Sequence, residues 1–152
     1  MVYANREIER FIPNNKNLSK AYCAFFNSTI IALFRELFGR TSLGGGALKL
    51  EVLDLQEFPT FNEDVIKSLK QKLEKILTKI SNRKIHSIFT ELGLDPSKPI
   101  REQEPKPLPD RAELDKIIFD ELGLTKEERK EVYWAVAELV KQRLEKTRSL
   151  KK

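Results

Sequence analysis

The sequence predicts a mainly α protein with a small β component: long helices around a short two-stranded element, ending in a C-terminal helical hairpin. Three observations carry this expectation. Apolar residues recur at three- and four-residue spacing at Ile66, Leu69, Leu73, Ile76, Leu77 and Ile80, and again at Val132, Val136, Leu139, Val140 and Leu144. Helix-start and helix-stop residues bracket such runs: Thr60 with Glu63, Thr125 with Glu128, and Gly39, Gly93 and Gly123 behind apolar stretches. Strand-like patterning is brief, limited to an apolar stretch ended by Pro13 and an alternating one after three consecutive glycines.

Taken in order, residues 1–13 read as a strand closed by Pro13 and the turn Asn14-Asn15. Asn17-Leu18-Ser19 opens a helix running to Phe38, with Gly39 as its stop. Its apolar residues, including Phe25, Phe26, Ile30, Ile31, Phe34 and Phe38, go most of the way round, so it expects burial on nearly all sides. The stretch from Arg40 to Gly46 reads as a loop, and Ala47 to Leu55 as a strand. A capping box at Thr60 and Glu63 starts the second long helix, broken at Ser81-Asn82 and resumed from Arg83 to Leu92. Five prolines between 94 and 109 read as a stiff extended linker, because each fixes φ and lacks a donor. A helix from Asp110 to Leu122 and another from the Thr125 capping box to Thr147 complete the chain. The organisation expected is 1–61 (strand, helix, glycine loop, strand), 62–93 (long helical segment), 94–109 (linker) and 110–152 (helical pair).

With 152 residues, 40% hydrophobic and 34% charged, the chain has enough apolar content for a core. The net charge of +5 permits a polyanionic partner without demanding one. Cys23 is the sole cysteine, which excludes an intramolecular disulfide; its apolar surroundings predict a buried thiol, and the reading is cytoplasmic. No apolar run reaches the ~20 residues of a membrane span.

Catalytic constellations are not legible. His86 is the sole histidine, and no glycine-rich nucleotide fingerprint occurs. Gly44-Gly45-Gly46 follows a helix and precedes a strand, the reverse of a phosphate cradle. It reads instead as a turn, or as a place where backbone approaches a nucleic-acid strand with Arg40, Thr41, Ser42 and Lys49 in reach of phosphates or base edges. Pro109-Asp110 with Glu128-Arg129-Lys130 imitates a nuclease pattern, but that chemistry needs acid and lysine on one face of a strand, and here both fall in a capped helix. The lysines of the second long helix could bind phosphates, although a charged face opposite an apolar stripe reads first as a solvated one.

The middle of the chain carries a resemblance. Phe25-Phe26-Asn27-Ser28-Thr29-Ile30, then Leu37-Phe38-Gly39-Arg40, then Leu43 through Glu51 with its glycine triplet, then Asp54-Leu55 and Phe58-Pro59, resembles the C-terminal, target-recognition region of class I adenine-N6 DNA methyltransferases of restriction–modification systems. The tail from Leu114 to Thr125 and from Tyr133 to Arg143 is similar to that family's C-terminal helical extension. Phe26 stands where leucine is usual. The family's Asn/Asp-Pro-Pro-Tyr/Phe motif, which holds the flipped adenine, is missing, since every proline here stands alone.

The resemblance implies a DNA target-recognition fragment without catalytic residues, contacting double-stranded DNA through Arg40, Thr41, Ser42, Gly44, Gly45, Gly46 and Lys49. It implies no cofactor in this chain; S-adenosylmethionine would belong to a methyltransferase catalytic domain joined in cis or in trans. The alternative is a helical interaction or dimerisation module of a restriction–modification complex, forming a homo-oligomer through its apolar helix without touching DNA.

Overall fold

A computed structural model describes residues 11–41, 48–49 and 58–149. A 3-10 turn at Lys16–Leu18 leads into helices α1 (Ser19–Phe26) and α2 (Thr29–Phe38). Strands β1 (Arg40–Thr41) and β2 (Leu48–Lys49) follow, then α3 (Glu63–Ser81), α4 (Ile88–Leu92), a 3-10 turn at Ile100–Glu102, α5 (Pro109–Glu121) and α6 (Lys126–Ser149). The described part is mostly helical with one small antiparallel pair, β1 with β2, as the patterning predicts. The strand expected at 1–13 falls largely outside the described residues, as does most of the one expected from Ala47 to Leu55.

The helix expected from Asn17 to Phe38 is two helices. Ser28 is extended (ψ 159°), which interrupts the cylinder. Asn27 supplies the local cause, because an Asn side chain competes with the helical ladder. The Asn27 amide donates back to the Cys23 carbonyl at 2.8 Å and finishes α1. The break lets the two halves serve different neighbours: α1 lies against α3 and α5, while α2 lies along α6. Cys23 is exposed rather than buried, since the inner face of α1 is formed by Ala21, Ala24 and Phe25.

The start of α3 also differs from expectation. Asn62, not Thr60, is the cap, its side-chain oxygen accepting from Val65 N–H at 3.0 Å, so Glu63 is the first helical residue. The apolar stripe itself is as read, with Ile66, Leu69, Leu73 and Ile76 buried. Helix resumes at Ile88 rather than Arg83, with Ser87 as cap. The Thr125 capping box is reciprocal: Thr125 N–H donates to Glu128 at 2.8 Å, and Glu128 N–H donates to the Thr125 hydroxyl at 3.3 Å.

The proline-rich stretch is packed onto α4 and α6 instead of standing free as a spacer. Leu94 and Ile100 are buried with Phe89, Leu92, Val136, Ala137 and Val140 in one of two apolar clusters. Lys106 N–H bonds to the Leu92 carbonyl at 3.0 Å and Leu108 N–H to the Glu91 carbonyl at 2.9 Å, so prolines separate usable donors rather than eliminating them. Gly93 is required here twice over. Its φ is 64°, and a β-carbon would lie 2.2 Å from the Lys106 carbonyl oxygen. The other cluster joins α1, the inner end of α2, α3 and α5, and Leu33 and Tyr133 pack against both.

Candidate nucleic-acid interface

The two strands form a ribbon at the C-terminal end of α2. Its register pairs Arg40 with Lys49 and Thr41 with Leu48. Residues directly opposite in an antiparallel pair project from the same face. Arg40 and Lys49, both exposed, therefore stand side by side on one face of the ribbon. Arg40 and Thr41, read from sequence as loop, are strand residues because they have β2 as a partner. Ser42, Gly44, Gly45 and Gly46 lie outside the described residues.

Gly39 joins the ribbon to α2. It was expected as an ordinary helix stop, but its φ of −69° is open to any residue. What it supplies is space: a β-carbon would sit 2.4 Å from the Arg35 carbonyl oxygen and 3.1 Å from Leu48 Cδ2. The ribbon thus folds down onto the last turn of α2 with Leu48 against the glycine.

Helix α2 is itself held at both ends by side chains that sequence reasoning missed. At its start, Thr29 N–H donates to Asp115 Oδ1 at 2.8 Å and the Thr29 hydroxyl to Asp115 Oδ2 at 2.6 Å. Asp115, from α5, caps α2 across 86 residues of sequence, which no local motif announces. Arg111, one turn earlier, donates to the Asn27 carbonyl. Burial pushes the Asp115 carboxyl up to about 6, against the opposing pull of the Thr29 hydrogen bonds, the Arg111 charge and the Tyr133 hydroxyl. Burial also raises the Tyr133 phenol, and the neighbouring Asp115 raises it further. At the other end, Arg143 of α6 forks onto Glu36 at 2.9 and 2.7 Å.

A second ionic cluster orders the turn between α3 and α4. Arg83 donates to both oxygens of Glu91 at 2.7 Å and also to Asp110, while Arg111 reaches Glu91 at 3.3 Å. Glu91 also accepts from His86 N–H at 3.2 Å. The hydrogen bonds from Arg83 hold Glu91 and Asp110 below the usual carboxylate range. Asp110 is thus committed to Arg83, and Glu128 to its own helix cap, so the nuclease-like pattern does not assemble.

Other features bear on binding. On α3, Lys67, Lys72 and Lys75 are exposed, while Lys70 pairs with Glu74 at 2.9 Å. Leu37 (58%), Phe38 (39%) and Leu122 (43%) are unusually exposed for large apolar residues. A small, mostly apolar cavity of about 90 Å³ is lined by Leu122 together with Phe25, Ile30, Phe34, Phe61 and the Pro59-Thr60 stretch. Among the described residues, no helix is long and apolar enough to cross a membrane. Comparison with family models, curated proteins and solved structures finds no match to this chain.

Proposed function

We propose that this chain is a DNA target-recognition fragment of a site-specific adenine-N6 methyltransferase, positioning duplex DNA for a catalytic domain that binds S-adenosylmethionine. The observation that carries the reading is the side-by-side placement of the exposed Arg40 and Lys49 on a two-stranded ribbon; the sequence between the strands includes the glycine triplet. A two-stranded ribbon fits the major groove of B-DNA, and paired cations suit phosphates or guanine edges there. The ordered motifs from Phe25 to Pro59 add support by resemblance. A cytoplasmic location accompanies this reading.

The test is duplex binding measured across salt concentrations. The wild-type chain is expected to bind with a negative log–log salt slope, and Arg40→Ala and Lys49→Ala each to weaken binding and reduce that slope by about 1. Affinity and slope unchanged in both variants would refute the assignment of the ribbon.

A second reading, a protein-interaction module, is favoured by the exposure of Leu37, Phe38 and Leu122. It predicts a concentration-dependent dimer in sedimentation, abolished by Phe38→Asp; a monomer at all concentrations argues against a homo-oligomer.

A further inference from the structure

Among the described residues the ribbon comprises two paired residues per strand, and a two-stranded pair gains stability from what it packs on. The support is α2, on whose last turn the ribbon folds through Gly39 and Leu48. Helix α2 is short, at ten residues, so it too depends on tertiary contacts. Its inner side packs on α6, with Ala32 and Leu33 against the cluster that contains Val136 and Ala137. Its final turn is fixed by the fork between Glu36 and Arg143, whose side chains are only 8% and 17% exposed. Glu36 stands four residues before Arg40, so this fork anchors the turn of α2 that leads into the cation pair, beside the packing of Phe38 on Phe58.

We propose that Arg143 and Glu36 are positioning residues for the DNA interface: α6 acts as the mount that fixes the ribbon in its binding geometry, without itself contacting DNA. This rests on the DNA reading above. A ribbon fixed in advance has less freedom to lose on binding, and so binds more tightly than the same residues on a loose one. The C-terminal helix pair thereby takes a role in recognition.

Charge and positioning predict opposite effects for one substitution. Removing the Glu36 carboxylate raises the net charge of the chain by one, which by electrostatics alone tightens binding to a polyanion. If the fork positions the ribbon, Glu36→Ala weakens binding instead, by roughly tenfold, the scale typical of residues that act through a network.

The experiment combines duplex titrations across salt with hydrogen exchange, on the full chain and on Glu36→Ala and Arg143→Gln. Both variants are expected to lose affinity with the salt slope unchanged. In both, amides of the last turn of α2 and of Arg40, Thr41, Leu48 and Lys49 exchange faster, while α3 keeps its protection. Tighter binding by Glu36→Ala overturns the proposal, as does a reduced salt slope in Arg143→Gln, which would make Arg143 a phosphate ligand. Unchanged exchange in the ribbon also overturns it. If the wild-type chain does not bind duplex DNA, the DNA reading falls, and the exchange data alone decide whether α6 is the mount.

Discussion

Asp115 is fully buried, and it serves as the cap of a helix to which it does not belong. The folded protein holds a proton on Asp115 up to about pH 6, whereas an unfolded Asp releases it near 4. Folding therefore takes up a proton between these values. The stability associated with this group is complete below about pH 4 and is lost as pH rises through 6. Glu91 and Asp110 act in the opposite sense, losing stability as pH falls below the ordinary carboxylate range, so the two effects occupy different windows. Asp115→Asn keeps an acceptor for Thr29 N–H and removes the titration. Chemical denaturation at pH 4, 5, 6 and 7 should show wild-type stability falling across that range relative to the variant. Parallel curves would show that Asp115 does not titrate there. Arg83 gives a second prediction at this scale. Arg83→Ala leaves Glu91, whose side chain is 4% exposed, with much of its charge uncompensated, and should cost roughly 3 kcal/mol at pH 7. A loss below ~0.5 kcal/mol would mean that Arg111 alone satisfies Glu91.

At the scale of elements, the sequence was most readable where the cause was local. The Thr125–Glu128 box is a pattern of four residues, and the structure closes both of its bonds. The stripe of α3 depends only on helical spacing, and its buried residues are those the spacing picks out. Reading failed where two local signals competed or where a partner lay far away in sequence. Thr60 and Asn62 both offer a capping side chain; Asn62 is used, and Glu63 and Asp64 then place their charges in the first turn. The elbow at Ser28 was signalled by three polar residues inside an apolar run, but its cap comes from Asp115. β1 was invisible because Arg40 and Thr41 alternate with nothing; only pairing with β2 makes them a strand. Of the expected contact residues, the structure describes Arg40, Thr41 and Lys49, and the first and last face one another because of that pairing. Gly39 gives the prediction for this element. Gly39→Ala forces a β-carbon against the Arg35 carbonyl and Leu48, a clash worth about 1–3 kcal/mol if the ribbon stays in place. Faster amide exchange at Arg40 and Lys49 with little change in α3 and α5 is expected. A variant as stable and as protected as wild type would show that the ribbon is not seated on Gly39.

For the whole molecule, the question is whether the C-terminal helix pair behaves as a unit of its own. Five prolines suggested a spacer, and a spacer would let the two ends unfold separately. The packing argues otherwise. The segment is pinned to α6 by the Trp134 indole, which donates to the Gln103 carbonyl at 2.9 Å, and by Arg101, which forks onto Glu131 at 2.7 and 2.9 Å and also reaches Glu138. The two apolar clusters share Leu33 and Tyr133 as a common wall, and α2 runs from one cluster to the other. Cooperativity follows from such sharing, because neither cluster can open without exposing residues that the other needs. The chain should therefore melt in a single calorimetric transition whose van't Hoff and calorimetric enthalpies agree. Ile100 is the sharpest probe, since it sits in the middle of the proline-rich segment at 3% exposure. In a solvated spacer, Ile100→Ala would be close to neutral. In the packed arrangement it opens a cavity costing about 2–5 kcal/mol, which for a chain of this size lowers the midpoint by several degrees, at ~2–4 °C per kcal/mol. That loss should appear in the one transition of the whole protein. A neutral variant, or a second transition at lower temperature, would mean that the C-terminal helices fold independently of the part that carries the ribbon.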